Sequence, residues 1–177
     1  MQVAVTAVGA DRPGIAAAVT KILFEHGGNI EDSRMAILGG HFSMMLIVGL
    51  PEGTDAASVE RALQAPAKDL DLIVAVRPVA AATAEPEAGA EEYVVSVYGA
   101  DKPGIVFRVS EALARHGVNI TDLATRVVGG DPDVYVLLME VVVPRSADTA
   151  VIDAELKTTG ADLDVDISFH PLEAETL

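Results

Sequence analysis

Apolar and polar residues alternate over residues 3–7 and again over residues 93–97. Alternation of this kind is typical of a strand with one buried face. Each alternating segment precedes a stretch, residues 15–26 and 105–116, in which apolar residues recur every three or four positions. That spacing predicts a helix after the strand in both places.

Proline and glycine mark the ends of the first predicted helix. Pro13 suits the first helical turn, where a missing N–H costs nothing, and it pushes Arg12 out of the helical region. Gly27 suits the left-handed position that ends a helix. His26 falls in the last turn, where a partly charged imidazole would favour the negative end of the helix dipole. The second stretch repeats all of these features.

The two patterns belong to an internal repeat. The motif GADRPGI at residues 9–15 returns as GADKPGI at residues 99–105, at an offset of 90 residues. HGGNIED at residues 26–32 returns as HGVNITD at residues 116–122 at the same offset. After about three extra residues near residue 132 the offset becomes 93. Chance does not align two such motifs at one offset, so the chain is two copies of one unit.

The segment between the copies is rich in Ala, Glu, Pro and Gly and lacks periodic apolar residues, which is typical of a linker. We therefore expect a first domain over residues 1–78, a linker over 79–91, a second domain over 92–171 and an acidic tail over 172–177.

Further along each copy the pattern predicts a hairpin, a helix and a last strand. In the first copy, strands over residues 29–38 and 41–50 flank a Gly-Gly turn at residues 39–40. A helix over residues 56–65 and a strand over residues 70–76 follow. The order indicates an α+β fold with two ferredoxin-like (βαββαβ) domains. Each would have a four-stranded antiparallel sheet with two helices on one face.

The predicted third strand is apolar on both faces. Residues 42–50 show this most clearly, and residues 134–143 are similar. A sheet face in contact with water should carry polar residues. We expect part of the second face, or an edge, to be covered by the other copy or by another chain. The alternative is that Met45 and Ile47 are simply exposed.

Composition narrows the class of protein. The 177 residues include 27 Asp and Glu against 12 Lys and Arg, a formal charge of −15. No basic cluster is visible, which argues against binding to nucleic acid. Half the residues are hydrophobic and the mean hydropathy is +0.36, so a packed core is expected. The absence of cysteine excludes disulfides, thiolate metal sites and cysteine nucleophiles.

Targeting and membrane signals are absent. The first residues lack the basic stretch and apolar run of a secretory signal. The longest strongly apolar run, residues 42–50, is far shorter than the roughly 20 residues of a membrane helix. We expect a cytoplasmic protein without a membrane partner.

Catalytic motifs are also absent. The serines have no recognisable nucleophile motif, and the phosphate-binding and dinucleotide glycine patterns are missing. Asp69 and Asp71, repeated as Asp162 and Asp164, are interpreted as solvating a strand entrance. Neither of the helix-end histidines has a second ligand at metal spacing. We expect no enzyme activity, no metal and no cofactor.

The strand followed by GADRPGI, with a helix that ends in HGGNI, resembles the ACT domain, a small amino-acid-sensing module. The resemblance covers both copies and nearly the whole chain. Two tandem copies without a catalytic domain are most similar to the group of glycine cleavage system transcriptional repressors. In ACT domains that bind amino acids, the ligand lies at the loop after the first strand and at the next strand, often where two domains meet. The resemblance thus implies these ligand-binding residues: Asp11, Arg12, Pro13, Gly14, Ile15 and Asn29, and Asp101, Lys102, Pro103, Gly104, Ile105 and Asn119.

The physical chemistry of the loop supports this interpretation. A helix start offers unpaired N–H groups and a positive dipole end to a carboxylate. Gly9 and Gly14 would let a ligand approach the backbone, and the Asn29 amide could bind an amino group and a carboxylate. Each residue type also has a simpler explanation. The aspartates could only organise the helix start, the asparagines could only adopt unusual backbone angles, and Arg12 and Lys102 could only be solvated.

Together these features predict a non-catalytic regulatory protein that binds a small amino acid, with glycine or serine favoured, and modulates a partner protein. By the resemblance, that role would lie in the regulation of glycine cleavage. The alternative is a detached regulatory subunit of an amino-acid biosynthetic enzyme. A homo-oligomer or intramolecular pairing of the two domains is expected, without direct nucleic-acid contact.

Overall fold

The computed structural model describes residues 1–80, 89–129 and 133–172. The chain divides into two compact units, residues 1–83 and 84–177. The first unit contains β1 (Gln2–Ala10), α1 (Ile15–Glu25), β2 (Asn29–Leu38), β3 (His41–Gly49), α2 (Ala56–Leu70) and β4 (Leu72–Val79). The second contains β5 (Glu91–Gly99), α3 (Ile105–Arg115), β6 (Asn119–Val128), β7 (Val134–Val143), α4 (Thr149–Leu163) and β8 (Val165–Pro171).

Each unit contains one four-stranded antiparallel sheet. The strand orders are β2-β3-β1-β4 and β6-β7-β5-β8, so the unit's first strand lies second from one edge in both sheets. The two helices of each unit pack on one face of its sheet. The predicted α+β, ferredoxin-like fold is confirmed in both copies.

Alternating strand residues and one stripe of each helix form the core of the first unit. Val3 and Val5 of β1 are buried under Val19 and Leu23 of α1 and under Leu63 of α2. The second unit buries the corresponding positions. Burial of this apolar surface, at roughly 25 cal/mol per Å², is the main force that holds the helices on the sheet.

The second helix is longer than predicted. α2 continues past residue 65, through Pro66, and ends at Asp71, whose φ is 56°. Proline usually breaks a helix, but here the extra turn buries Ala67 and packs Leu70 against the core. The prediction of a helix over 56–65 and a strand over 70–76 was therefore wrong at this junction, and β4 begins at Leu72.

The outer face of the first sheet carries apolar side chains, as the pattern of β3 indicated. Met45 is half exposed within the chain, and Ile73 of β4 is 79% exposed. Ile47 is partly buried. Cover of this face by another chain stays a prediction.

The predicted linker and tail lie mostly outside the described residues, which omit 81–88 and 173–177. β4 extends to Val79 and β5 begins at Glu91, one residue beyond each predicted domain edge. The domain boundaries stay a prediction.

Candidate functional site

The loop after β1 leads into the start of α1. Gly14 is the last residue before the helix and adopts φ 94° and ψ −7°, a left-handed conformation that favours glycine. Ile15, the first helical residue, is buried and anchors the start of the helix in the core. Pro13 precedes Gly14 and lies outside the helix, so its predicted place in the first helical turn was wrong. The left-handed glycine turns the chain where the proline was expected to begin the helix.

The second copy builds the same loop. Gly104 has φ 95° and ψ −2°, Ile105 is buried, and Pro103 again lies outside the helix. A Cβ atom added to Gly14 or to Gly104 would meet nothing within 4 Å. The left-handed backbone at these two positions therefore favours glycine. The space that a side chain would occupy there is open.

The starts of α1 and α3 differ from those of α2 and α4. Asp55 caps α2 through a hydrogen bond of 2.6 Å from the Ser58 N–H, and Asp148 caps α4 through the Ala150 N–H at 2.9 Å. Among the residues that the structure describes, no side chain caps α1 or α3, and neither helix has an acidic residue in its first turn. The first N–H groups of α1 and α3 thus lack an intramolecular anionic partner.

The loop aspartates do not cap the helices that follow them. The backbone N–H of Asp11 donates to the Gly40 carbonyl at 2.9 Å and ties the loop to the β2–β3 turn. Asp101 lies close enough to Tyr135 for its charge to act on that hydroxyl. Burial raises the pKa of Tyr135, the negative charge of Asp101 raises it further, and a hydrogen bond with Thr125 opposes both.

The two loop cations have different surroundings. Within the described part of the chain, exposed Arg12 makes no ion pair and no side-chain hydrogen bond. The Lys102 ammonium donates to the Leu163 carbonyl and to Asp164 Oδ2, both at 3.0 Å. Lys102 is therefore bound to the end of α4, and a ligand contact by Arg12 stays a prediction.

The paired aspartates lie where the second helix of each copy gives way to its last strand. Asp69 lies inside α2, and Asp71 forms its left-handed end. Asp162 and Asp164 occupy the same positions in α4. Asp71 and Asp164 end their helices and directly precede β4 and β8, whereas Asp69 and Asp162 lie inside the helices.

The predicted asparagines lie far from the loop of their own copy. Asn29 pairs with Gly49 at the end of the sheet where β1 begins, whereas the loop follows the other end of β1. Eight residue steps along β1 at roughly 3.3 Å separate the two ends by about 26 Å. Asn119 has the equivalent place in the second sheet. One copy cannot place its loop and its asparagine on the same small ligand.

The asparagines also do not require unusual backbone angles. Among the described residues other than glycine, only Asp71 and Asp164 have positive φ. Asn29 and Asn119 begin regular strands, so the alternative explanation for them was wrong.

Gly9 serves packing within the domain. A Cβ atom there would lie 2.6 Å from the Asp71 carbonyl oxygen and 2.7 Å from Leu72. In the second copy, a Cβ on Gly99 would approach Val165 to 2.6 Å. The expectation that Gly9 admits a ligand was wrong, because the turn after the second helix occupies that space.

The helix-end histidines have capping and packing contacts. His26 is the C-cap residue of α1, and its Nδ1 lies 2.8 Å from the Ile22 carbonyl oxygen. His116 Nε2 lies 2.6 Å from Glu155 Oε2 on the neighbouring helix α4. No group of three or more potential metal ligands occurs among the described residues. In the same part of the chain no helix is long and apolar enough to cross a membrane.

The contacts of α4 with Lys102 and with α3 could not be predicted from the repeated GADRPGI and GADKPGI motifs. Besides Lys102 and Asp164, Arg108 of α3 pairs with Asp162 at 3.2 Å. The offset of 90 places Ala18 opposite Arg108, and the neighbouring positions also differ, with Ala16 opposite Val106 and Ala17 opposite Phe107.

Sequence models of the ACT domain match residues 1–77 and residues 93–158. With the βαββαβ topology and the glycine-containing loops, these matches define the class of protein: the chain belongs to the ACT-domain family and carries two ACT domains in tandem.

Over nearly its whole length the chain is similar to the glycine cleavage system transcriptional repressor of Escherichia coli. The two are 29% identical over 169 residues, which cover 94% of this chain and 87% of the repressor. A UPF0237 protein from Methanopyrus kandleri is 38% identical over 74 residues, 41% of this chain and 82% of that protein. The solved structure of an unknown protein from Galdieria sulphuraria matches with a TM-score of 0.82 and 27% identity, covering 97% of this chain and 98% of that one.

Proposed function

We propose that the chain is a non-catalytic regulatory protein that binds a small amino acid at the loop between the first strand and the first helix of an ACT domain. The observation that carries the proposal is the uncapped start of α1 behind the left-handed Gly14. Its repetition at Gly104 and the family membership add support.

The ligand group that this loop suits is a carboxylate. The free N–H groups of the first turn and the positive dipole end of α1 attract negative charge. The first intrahelical bond runs from the Ala18 N–H to the Gly14 carbonyl at 2.9 Å, so the amides of residues 15–17 have no partner inside the helix. Arg12, two residues before Gly14, adds a positive charge to the same loop. The open space at Gly14 lets the carboxylate reach the backbone.

Glycine and serine are the first candidates for the ligand. The E. coli relative is named as a repressor of the glycine cleavage system, which links this group of tandem ACT proteins to glycine metabolism. Neither amino acid needs a deep pocket for its side chain, in keeping with a site on an open loop.

The asparagines can take part only if two ACT domains share a ligand. One domain would contribute the loop, and the second would contribute Asn29 or Asn119 from the start of its own strand. Such a shared site would link ligand binding to the association of domains, which is a means of regulation. A ligand shifts an equilibrium only through unequal affinity for its two states.

We propose further that regulation proceeds through a partner protein. The formal charge of −15 opposes direct contact with the DNA backbone. A role in the control of glycine cleavage is the specific form of this proposal. Affinity purification from the source cell tests it: a transcription factor among the partners supports it, and a biosynthetic enzyme in its place favours a detached regulatory subunit.

Calorimetric titration of the full chain with each of the twenty amino acids tests ligand binding. We expect glycine or serine to bind. Gly14→Ala should lower the affinity at least tenfold, because the added methyl group occupies the open space at Gly14 through which the carboxylate reaches the backbone. Gly53→Ala is the matched control, since Gly53 also has positive φ, 87°, and open space around it. Either substitution should cost about 1–2 kcal/mol of backbone strain.

The control separates lost binding from general strain. Gly53→Ala should bind like the natural protein although it is strained to a similar degree. Absence of binding with all twenty amino acids would contradict the proposal. Equal loss of affinity in both variants would contradict the assignment of the site to this loop.

A further inference from the structure

We infer that the two ACT domains are not equivalent: the Arg12 loop of the first copy binds the amino acid, whereas Lys102, the cation of the second loop, is already paired with the end of α4. The chain would then take up one ligand. This inference rests on the proposed function and specifies which of its two loops is active.

Two cations of the second copy are bound to the end of α4. The Lys102 ammonium contacts the Leu163 carbonyl and Asp164 Oδ2, both at 3.0 Å. One turn into α3, Arg108 Nη2 donates to Asp162 Oδ2 at 3.2 Å. We call these contacts the α4 clamp. The positive charge that would attract a ligand carboxylate is already paired with carboxylates of the protein.

In the part of the chain that the structure describes, the first copy has no equivalent clamp. Ala18 stands where Arg108 stands in the second copy, so one of the two cations is missing. Asp69 and Asp71 are present at the end of α2, but neither forms an ion pair or a side-chain hydrogen bond with Arg12 within the described residues. The Arg12 guanidinium is therefore available to a ligand, and its planar N–H groups suit a carboxylate.

The clamp affects binding through competition. A carboxylate that approaches the start of α3 must displace Asp164 from Lys102 or bind beside it, against the repulsion of like charges. Exposed ion pairs are individually weak, but the bond to the Leu163 carbonyl ties the loop to the end of α4, and the Arg108 pair ties α3 to the same end. A ligand at the start of α1 has no such competitor for Arg12.

Titration calorimetry of the full chain with glycine and with L-serine tests the inference through stoichiometry and two single variants. We expect about one bound amino acid per chain. Arg12→Ala should weaken binding at least tenfold, and Lys102→Ala should change the affinity less than twofold.

Thermal unfolding provides a second measurement. Lys102→Ala should lower the unfolding midpoint because it removes the clamp. Arg12→Ala should leave the midpoint unchanged, because Arg12 makes no ion pair or side-chain hydrogen bond within the described residues.

The outcomes distinguish this inference from the proposed function. Two bound ligands per chain, or an equal loss of affinity in the two variants, would overturn the inequality of the copies and leave amino-acid binding intact. Loss of binding only in Lys102→Ala would reverse the assignment. If neither glycine nor L-serine binds to the natural protein, the inference is overturned together with the choice of these ligands.

Discussion

Asp11 and Asp55 each precede a helix, yet only Asp55 caps one. The Asp55 carboxylate accepts from the Ser58 N–H at 2.6 Å. Asp11 instead uses its backbone N–H, which bonds to the Gly40 carbonyl. Gly14 separates Asp11 from the helix and turns the chain. The difference leaves the first N–H groups of α1 without a side-chain cap within the described residues.

This difference predicts unequal effects of removing the aspartates. Asp55→Ala and Asp148→Ala should each lower the free energy of unfolding by about 1 kcal/mol, the usual cost of a lost helix cap. Asp11→Ala and Asp101→Ala should change it by less than about 0.5 kcal/mol, as expected at surface positions without such a feature. Urea unfolding without added amino acid measures all four. A loss of about 1 kcal/mol in Asp11→Ala would show that Asp11 does organise the helix start.

At the residue scale, the sequence predicted those backbone conformations that depend only on residues close by in the chain. The helix-ending Gly27 with φ 70° and the Gly-Gly hairpin turn both follow from local backbone requirements. The role of Gly9 could not be predicted, because the atoms that fill its space belong to Asp71 and Leu72, 62 and 63 positions away. The Lys102 contacts escaped prediction for the same reason, since they join residues 61 and 62 positions apart.

At the scale of elements, the end of α2 shows tertiary packing overriding local preference. Pro66 lacks the N–H of an interior helical residue, and its ring conflicts with the preceding turn. The helix continues because Ala67 and Leu70 gain contacts with the core. The order and type of the helices and strands could be predicted from the spacing of apolar residues. The end of α2 could not, because it depends on tertiary contacts, which that spacing does not reveal.

Replacement of Pro66 should therefore stabilise the protein. An interior proline costs about 3 kcal/mol relative to alanine, and the stiffness it gives the unfolded chain offsets about 1 kcal/mol of that. Pro66→Ala should raise the free energy of unfolding by about 2 kcal/mol in urea titrations. Gln64→Ala on the exposed side of the same helix is the control and should change it by only a few tenths of a kcal/mol. Destabilisation by Pro66→Ala would mean that the proline ring packs better than an alanine can.

Helices α3 and α4 are joined by a charged cluster that the described residues of the first copy do not form. Arg115 Nε donates to Glu155 Oε1 at 2.8 Å, and His116 Nε2 lies 2.6 Å from Glu155 Oε2. The hydrogen bond from His116, followed by that from Arg115, lowers the pKa of Glu155 below its ordinary value of 4.5. The folded state therefore favours the charged carboxylate.

That shift fixes the sign of a pH effect. A lowered carboxyl pKa contributes stability above the unfolded-state value, and the contribution is lost as the pH falls through the folded-state value. Glu155→Gln should lower the thermal unfolding midpoint at about pH 6, and the difference from the natural protein should disappear at strongly acidic pH, below the ordinary carboxyl range. Asp153→Asn, which removes an exposed contact with Lys157, controls for the loss of one carboxylate. A difference that stayed constant with pH would contradict the account.

At the scale of the whole molecule, the repeat and the charge determine what the protein can bind. Both ACT domains have complete cores of their own. The chain has a net charge of −15, and each of its two loops carries one cation. A single exposed cation can attract a small carboxylate at short range, but it cannot replace the row of phosphate contacts that DNA binding requires.

The chain should therefore not bind duplex DNA directly. In mobility-shift titrations at about 50 mM salt, where contacts to phosphate are strongest, we expect no complex at micromolar protein, with or without glycine. Addition of a partner protein identified by affinity purification should be needed to connect the chain to DNA. A salt-sensitive complex formed by the chain alone would contradict this prediction.

The central claim is that an amino-acid carboxylate binds at the start of α1, and backbone-amide NMR of the full chain of 18.4 kDa tests it most directly. On titration with glycine, and separately with L-serine, the largest amide shifts should lie at Gly14 and at residues 15–17, with little change at residues 104–107. Saturating shifts confined to that first helical turn and its surroundings are the predicted result. A spectrum unchanged by both amino acids, or changes that avoid the first turn of α1, would contradict the account.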